Sequence, residues 1–435
     1  MPYSSIRLSR PLEISREGTM SFACRASILS LLPAVLLLSS CAGPSAGNIS
    51  KTTIPVSPPI VQSTTPAVLT FSITGPVETV FQHSTQACED LDIPDDAARA
   101  FRDSTGTVHL IASHYINRAM IGPDLNDVVN DCDIIYEDNA NADPMTFDDL
   151  GWLESYYTVD GMTINALVSL DYHPYRHDLP CGISSATADD CWYETIIQAT
   201  STNGGYNFTS PAEGEPRFVA GSEYVYSSSY TNSQGAFVPS NIISWNGYYY
   251  VELSVVGQGV QPSGECVLRT TNLSDPSSWR AWDGTGYNVQ FVDPAAYENG
   301  VDLPNFDPSA HVCKVVGSSN FTSELRNLLV LPNGKGFLGV MYRIVTNADG
   351  SINYNAYGTT SVDLINWTPG VLITSLPELN GTAYSYPSMI DPTSTSRNFE
   401  TITQNSAYLY FTFFHPDTTL DRDLIRYPLI INGLQ

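Results

Sequence analysis

Acidic side chains stand just before or within short apolar segments at three points of the chain. Asp95 and Asp96 precede "AARAF", Glu154 lies in "WLESYY", and Asp171 ends "ALVSLD". Two carboxyl groups that are held close together in different environments differ in pKa, so one can donate a proton while the other accepts one. These four residues are therefore the candidate catalytic groups of an acid–base site.

A repeated strand–turn–strand motif in the sequence must position these groups. It is written "RDSTGTVHLIAS" at 102–113, "YTVDGMTINALV" at 157–168, "SWNGYYYVEL" at 244–253, "LVLPNGKGFLGVMY" at 329–342 and, more loosely, "ITQNSAYLYFTFF" at 402–414. Gly, Asn and Asp turns between apolar runs indicate hairpins. Five such units predict an all-β fold, a five-bladed β-propeller of four-stranded antiparallel blades over residues 81–435. A pair of β-sandwiches and a six-bladed propeller are the alternatives. Either "VETVFQHSTQACEDL" or "RDLIRYPLIING" could supply the strand that closes the ring.

Alignment of the units on their turn glycines gives equivalent positions near the propeller axis. Counting back from Gly106, Gly161, Gly247 and Gly334 reaches one residue in each of the first four units, and "YPSM" completes the set: Arg99, Glu154, Ser240, Asn327 and Ser388. Asn241 follows in the third unit. The loops after the second strands add further polar groups, namely His114, Arg118, Asp171, His173, His177, Arg343 and His415. Taken singly, each also fits a solvated loop or a cap, but together they predict a substrate-binding face.

The pattern resembles the five-bladed glycosidases of the arabinanase, β-xylosidase and invertase type. The residues that carry the resemblance are "IPDDAARAFRDSTGTVHLIAS", "WLESYYTVDG", "VPSNIISWNGYYYVEL", "SVDLINW" and "YPSMIDP". The resemblance implies hydrolysis of a poly- or oligosaccharide by paired carboxyl groups. It places the base at Asp95 or Asp96. Glu154, expected at the axis in the second unit, and Asp171, in the loop of the same unit, are the candidates for the acid and for the neighbour that tunes its pKa, in either order. The resemblance requires no cofactor and no catalytic metal, and it leaves room for a structural calcium ion near the axis.

The chain departs from that family at two blades. Ser240 and Asn327 stand where an Asp and a Glu are usual, and Glu324 is the fallback acid. A non-catalytic carbohydrate-binding propeller is therefore the first alternative function. The second is a sialidase-like enzyme with a Tyr nucleophile and a carboxylate clamp of Arg99, Arg343 and Arg397. The third is a metal-dependent site that uses His173, His177 and a carboxylate.

The first 41 residues predict export and lipid anchoring. "MSFACRASILSLLPAVLLLSSC" combines a basic residue, a short apolar run and small residues before Cys41, with Met20 as the expected start. We expect Cys41 to carry a lipid, and residues 42–80, rich in Ser, Thr and Pro, to form a tether. The expected location is the cell envelope, at the outer membrane or cell surface. The lipid is the expected link to the membrane.

Export also accounts for the remaining cysteines and is compatible with the charge. Six cysteines follow Cys41, which predicts three disulfides, in sequential order Cys88–Cys132, Cys181–Cys191 and Cys266–Cys313, among fifteen formal connectivities. The net charge of −26 argues against nucleic acid and anionic membrane surfaces as partners. We expect a monomer that takes a glycan substrate.

Overall fold

The computed structural model describes residues 63–434 except 113, 183–189, 213–214, 258, 297–306, 322 and 417–419. The predicted leader, Cys41 and most of the tether lie outside this part of the chain. Among the described residues, no helix combines the length and apolar character needed to cross a membrane.

The strands group into five consecutive units, which we call blades 1 to 5. Pairing within each blade is antiparallel, and one parallel strand pair joins blades 2 and 3 into a single ten-stranded sheet. Blade 1 contains β3 (Arg99–Arg102), β4 (Val108–Ile111), β5 (Met120–Gly122) and β6 (Val129–Asn130). Blade 2 contains β7 (Gly151–Thr158), β8 (Ile164–Tyr172), β9 (Tyr193–Ser201) and β10 (Phe218–Ala220). Blade 3 contains β11 (Gln234–Phe237), β12 (Ile243–Trp245), β13 (Tyr248–Val256), β14 (Gly264–Thr270), β15 (Arg280–Trp282) and β16 (Tyr287–Val289).

The last two blades close the ring. Blade 4 contains β17 (Leu325–Val330), β18 (Phe337–Thr346), β19 (Ile352–Ser361) and β20 (Val371–Pro377). Blade 5 contains β21 (Ala383–Ile390), β22 (Ser406–Phe414) and β23 (Arg422–Asn432), with β1 (Thr70–Ile73) and β2 (Glu78–Phe81) paired to β23. Both segments suggested for closure are thus used, and strand β1 begins within the segment expected to be a tether.

Helices are short and lie in connecting segments. Among the described residues, two are α-helical, α1 (His83–Gln86) and α2 (Pro294–Ala296). The others are 3₁₀ turns at Pro144–Thr146, Pro174–His177, Pro276–Ser278, Pro308–His311 and Pro332–Gly334. In the hairpin between β12 and β13, Asn246 and Gly247 both have positive φ, at 49° and 80°, as the Asn-Gly pair predicts.

The hydrophobic core consists of five clusters, each wedged between two neighbouring blades. One cluster, for example, joins Phe101 and Ile111 of blade 1 to Leu153 and Ile197 of blade 2. The other clusters lie between blades 2 and 3, 3 and 4, 4 and 5, and 5 and 1. Neighbouring blades also contact through their strands, namely β3 with β7, β9 with β11, β12 with β17, β17 with β21, and β21 with β3. The prediction of a five-bladed β-propeller is confirmed.

The predicted disulfides are confirmed as well. The structure contains Cys88–Cys132, Cys181–Cys191 and Cys266–Cys313, which is the sequential pairing. The second bond closes the loop between β8 and β9, which carries His173 and His177.

Candidate active site

β-Bulges in three inner strands present side chains to the propeller axis. The pairing register shifts between Leu153 and Ser155 in β7, between Leu325 and Asn327 in β17, and between Ser385 and Ser388 in β21. A bulge inserts one residue and redirects its side chain, and bulges recur next to active sites. The residues within these shifts include Glu154, Arg326 and Tyr386. An acid, a cation and a phenol therefore come from blades 2, 4 and 5.

Arg326 interacts with the acidic groups and with the phenol ring. Its guanidinium carbon lies 5.2 Å from the centre of the Tyr386 ring, and its Nη2 lies 3.6 Å from Oε1 of Glu324. Its positive charge also acts on the titration of Asp96 and Glu154. Sequence alignment pointed instead to the next residue, Asn327, so Arg326 was missed.

Asp96 is the buried carboxyl group of blade 1. Only 3% of the residue is exposed, and the N–H of Ala97 donates to its Oδ1 at 2.5 Å. Burial raises the pKa of Asp96 to about 6, while the charges of Arg99 and Arg326 oppose this rise. A pKa of about 6 favours the ionised form of this buried carboxyl group at neutral pH.

Glu154 is the second buried carboxyl group, and its environment is less favourable to charge. Its Oε2 is buried without a hydrogen-bond partner among the described residues. Burial raises the pKa of Glu154 well above its usual value, and the negative charge of Asp96 raises it further, against the effect of Arg326. Because the two carboxyl groups affect each other, protonation of one favours ionisation of the other.

Asp95, the neighbour of Asp96, is held by three partners. The hydroxyl of Tyr386 donates to its Oδ1 at 3.1 Å, and the guanidinium of Arg422 pairs with the same oxygen. Nε2 of His114 lies 3.5 Å from Oδ2. Burial lowers the pKa of His114 to about 4 despite this carboxylate, so the ring is neutral at neutral pH. Asp95 therefore joins blades 1 and 5 at the rim of the site.

Asp171 and Glu194 form a further acidic pair in blade 2. They are direct cross-strand partners on β8 and β9, and Ser169 donates to Glu194. Burial raises the pKa of Asp171, and the charge of Asp95 adds to this; burial and the charge of Asp171 do the same for Glu194. Glu194 was not predicted. The signal for it was an isolated acid in the apolar strand "YETIIQATS".

An aromatic group lines the site beside these carboxyls. The rings of His114 and Tyr115 each meet Trp152 edge to face, with centroids 5.2 and 5.4 Å away. Arg176 lies over the Tyr115 ring at 5.2 Å. Flat aromatic faces of this kind supply contact area for a ring-shaped ligand.

The two histidines of the β8–β9 loop have different partners. Nε2 of His177 is 2.8 Å from Oδ2 of Asp149. His173 packs against Trp192, with centroids 5.2 Å apart, and burial lowers its pKa to about 3. The metal alternative built on these two histidines gains no support, since the group of described residues able to hold an ion lies elsewhere, at His415, Asp421 and Asp423.

Several predicted binding residues hold the ring together. Asn241 donates to the carbonyl of Leu328 and accepts from its N–H, both at 2.8 Å, and Oδ1 of Asn327 accepts from the N–H of Met389 at 3.0 Å. Ser240 accepts from the N–H of Glu252 at 3.0 Å. These bonds join blades 3, 4 and 5 and the strands of blade 3.

The other predicted binding residues make contacts at different places in the propeller. Arg99 is buried at the axis and donates to the carbonyl of Arg326, and Ser388 is fully buried. Arg118 pairs with Glu89 at 2.6 Å. His415 lies 2.9 Å from Asp423.

The arginine clamp of the sialidase-like alternative is not formed. Arg99 lies at the axis, and Arg343 is exposed on β18, opposite Asn355. Arg397 donates to the carbonyl of Arg102, at the far end of β3. The clamp prediction is wrong because Arg99 and Arg343 lie on strands of different blades, and Arg397 lies in the connection between β21 and β22.

A cavity of about 10 Å³, lined by Arg99, Tyr156, Asn241, Asn327 and Met389 among others, has room for about one water molecule. The fold and site together define a β-propeller protein with an acidic, solvent-excluding axial site.

Comparison with known proteins gives structural likenesses only. No family model matches the chain, and no curated protein matches it. The chain is similar to the α-L-arabinanase of Cellvibrio cellulosa complexed with arabinohexaose, at 12% identity and a TM-score of 0.42, covering 78% of this chain and 92% of that one. It is also similar to a putative glycoside hydrolase of Bacteroides ovatus (9%, TM-score 0.40, covering 82% and 96%). A third is the α-L-arabinanase of Penicillium chrysogenum complexed with arabinobiose (12%, TM-score 0.36, covering 84% and 99%).

Proposed function

We propose that the protein is a glycoside hydrolase that cleaves a poly- or oligosaccharide in the axial site, with Glu154 as general acid and Asp96 as its partner carboxylate. The observation that carries this proposal is the pair itself. Two buried carboxyl groups from neighbouring blades influence each other's titration, and their environments separate their pKa values. Such separation is how enzymes assign acid and base roles to two similar groups.

The order of the two pKa values supports this assignment of roles. The pKa of Asp96 is about 6, which favours its ionised form at neutral pH, whereas the pKa of Glu154 is raised well above its usual value, which favours its protonated form. Glu154 then donates that proton to the leaving glycosidic oxygen. Asp96 either takes a proton from water, which inverts the anomeric centre, or attacks the anomeric carbon, which retains it.

Arg99 and Arg326 act as positioning residues. Their charges lower the pKa of Asp96 against the effect of burial, which keeps that carboxylate ionised. Asp95 has a different part, because Tyr386, Arg422 and His114 occupy its oxygens. We therefore assign the partner role to Asp96 rather than Asp95. Asp171, when ionised, raises the pKa of Glu154 further and so favours the protonated form of Glu154.

The substrate class follows from the walls of the site. Trp152, Tyr115 and His114 offer aromatic faces that suit the C–H faces of sugar rings. We expect a neutral or furanose-rich glycan.

The test is hydrolysis of a panel of arabinan, xylan and fructan by wild-type protein and by Glu154→Gln and Asp96→Asn. Each variant should lower turnover by several orders of magnitude, because each removes one half of the acid–base pair. The wild-type kcat/KM should rise with pH through about 6, as Asp96 ionises, and fall at higher pH as Glu154 loses its proton.

Glu400→Gln is the matched control. Glu400 is also buried, but it bonds Tyr157 and Ser396 away from the axial carboxyls, so turnover should not change. Wild-type rates in both axial variants would overturn the assignment. Tight glycan binding without cleavage by wild-type protein would replace it with the carbohydrate-binding alternative, which keeps the same site without turnover.

A further inference from the structure

A second group of ligand-type side chains lies at the loop between β22 and β23. One nitrogen of His415 and one oxygen each of Asp421 and Asp423 all lie within 4.8 Å of one another. Nε2 of His415 is 2.9 Å from Oδ2 of Asp423. The two aspartates flank Arg422 in sequence, so the group borders the candidate active site but shares none of its carboxyl groups.

A fourth residue reaches this group from helix α1. The backbone N–H of His83 donates to Oδ1 of Asp423 at 2.9 Å, which orients that carboxylate. Nδ1 of the His83 ring lies 3.8 Å from Oδ1 of Asp421. Two imidazoles and two carboxylates are thus gathered from segments more than 300 residues apart in sequence.

A backbone contact orients the His83 ring beside this group. Nε2 of His83 lies 3.2 Å from the carbonyl oxygen of Asp90. A carbonyl oxygen only accepts, so Nε2 carries a hydrogen, and Nδ1 is the ring atom that faces the Asp421 carboxylate. A histidine whose second nitrogen donates to a carbonyl is the usual arrangement of a metal ligand.

We propose that His415, Asp421 and Asp423 bind one divalent transition-metal ion of the zinc class, with the adjacent His83 as the candidate fourth ligand. Zinc takes four ligands from imidazole nitrogen and carboxylate oxygen, whereas calcium takes six to eight oxygens. The side chains of Asp423 and His83 are 8% and 14% exposed, and those of His415 and Asp421 are 33% and 35% exposed. Asp423 and His83 therefore form the buried side of the group, and His415 and Asp421 form the side that an ion can reach from solvent.

Such an ion would stabilise the ring of blades at the point where blade 5 meets the segment before blade 1. It would join the segment before blade 1 to the β22–β23 hairpin of blade 5. Arg422, held between two of the ligands, pairs with Asp95 at the rim of the axial site. The ion would thus stabilise the closed ring and the position of Asp95 without entering the proposed hydrolysis.

The test is titration of chelator-stripped protein with Zn²⁺ alone, followed by calorimetry and thermal unfolding. We expect one ion per chain, release of protons on binding, and a melting temperature that rises with zinc. His415→Ala and Asp421→Asn should each weaken zinc binding at least about tenfold. Asp421 is the more exposed of the two aspartates, so its variant keeps the test valid if other substitutions impair folding.

His177→Ala is the matched control. It removes a histidine that also contacts one aspartate at 2.8 Å, but it lies outside this group, so zinc affinity should stay unchanged. Absence of binding at about 100 µM zinc, or equal affinity in His415→Ala, Asp421→Asn and wild type, would overturn the proposal. So would stoichiometric binding of calcium with no binding of zinc.

Discussion

Asp95 and Asp96 are adjacent in sequence but differ in what surrounds them. Asp95 meets a phenol, a guanidinium and an imidazole, each of which contacts one of its oxygens. Asp96 receives a single backbone N–H and is otherwise surrounded by low-dielectric interior and the charges of two arginines. At the scale of the residue, two neighbouring aspartates thus differ in role: Asp95 is an ion-pair partner, and Asp96 is the proposed catalytic carboxylate.

The burial of Asp96 has a cost in stability that pH reveals. Its folded-state pKa of about 6 lies above the ordinary value of 3.8, so the folded state prefers the protonated form. Stability from this group is complete below the lower value and is lost as pH rises through the higher one. The loss is about 3 kcal/mol, since one pKa unit corresponds to about 1.4 kcal/mol.

Asp96→Asn should therefore raise the free energy of unfolding at pH 8 by up to about 3 kcal/mol, because the amide carries no charge to bury. At pH 4 the change should be small, and turnover should be lost at both values. Urea unfolding at the two pH values measures this difference. An equal stability change at pH 4 and pH 8 would contradict the pKa of Asp96.

At the scale of the element, blade 3 buries two glutamates on paired strands. Glu252 on β13 is fully buried, and Glu265 on β14 is 4% exposed. Burial, helped by the charge of Glu324, raises the pKa of Glu265 to about 8 from 4.5. Stability from the protonated group is complete below pH 4.5 and declines until about pH 8, by an amount on the order of 5 kcal/mol.

Glu265→Gln should remove that decline, because glutamine stays neutral. The variant should melt close to wild type at pH 4.5 and clearly above it at pH 8, as measured by thermal unfolding across the range. Glu215→Gln, at an exposed position, is the control and should follow the wild-type curve. A Glu265→Gln curve parallel to wild type would rule out a protonated glutamate at this position.

At the scale of the whole molecule, five wedge-shaped clusters between blades replace one central core. Each blade therefore depends on both neighbours, and the ring depends on the pairing of β1 and β2 with β23. The tether expected before the ring connects it to Cys41, which lies outside the described residues. We propose that a lipid on Cys41 anchors this propeller to the cell envelope, as "LLLSSC" indicates.

Cys41→Ala should release the protein into the soluble fraction and abolish fatty-acid labelling, because the lipid is the proposed membrane attachment. Cell fractionation and labelling measure both effects. The ring contains its own three disulfides, so folding of the released protein should not change. Membrane retention of the variant would show that another attachment exists.

Local pattern was enough to determine much of this protein. Turn residues between apolar runs predicted the hairpins, the number of units predicted the blades, and the order of cysteines predicted the disulfides. These features depend on residues close together in the chain or on a count, so they can be found without knowing how distant strands pair. Asp96 and Glu154 were candidates for the same reason.

Only the tertiary structure decided which side chains meet at the axis. Counting from the turn glycines reached Asn327, which lines the small axial cavity, but it missed Arg326, which lies within the bulge of β17 and whose charge acts on Asp96 and Glu154. In a strand, one inserted residue turns the following side chains to the other face. The pairing of Asp171 with Glu194 likewise depends on the register between β8 and β9, and the meeting of Asp95 with Arg422 joins residues more than 300 positions apart. Electrostatic interactions depend on distance in space, which sequence spacing does not supply.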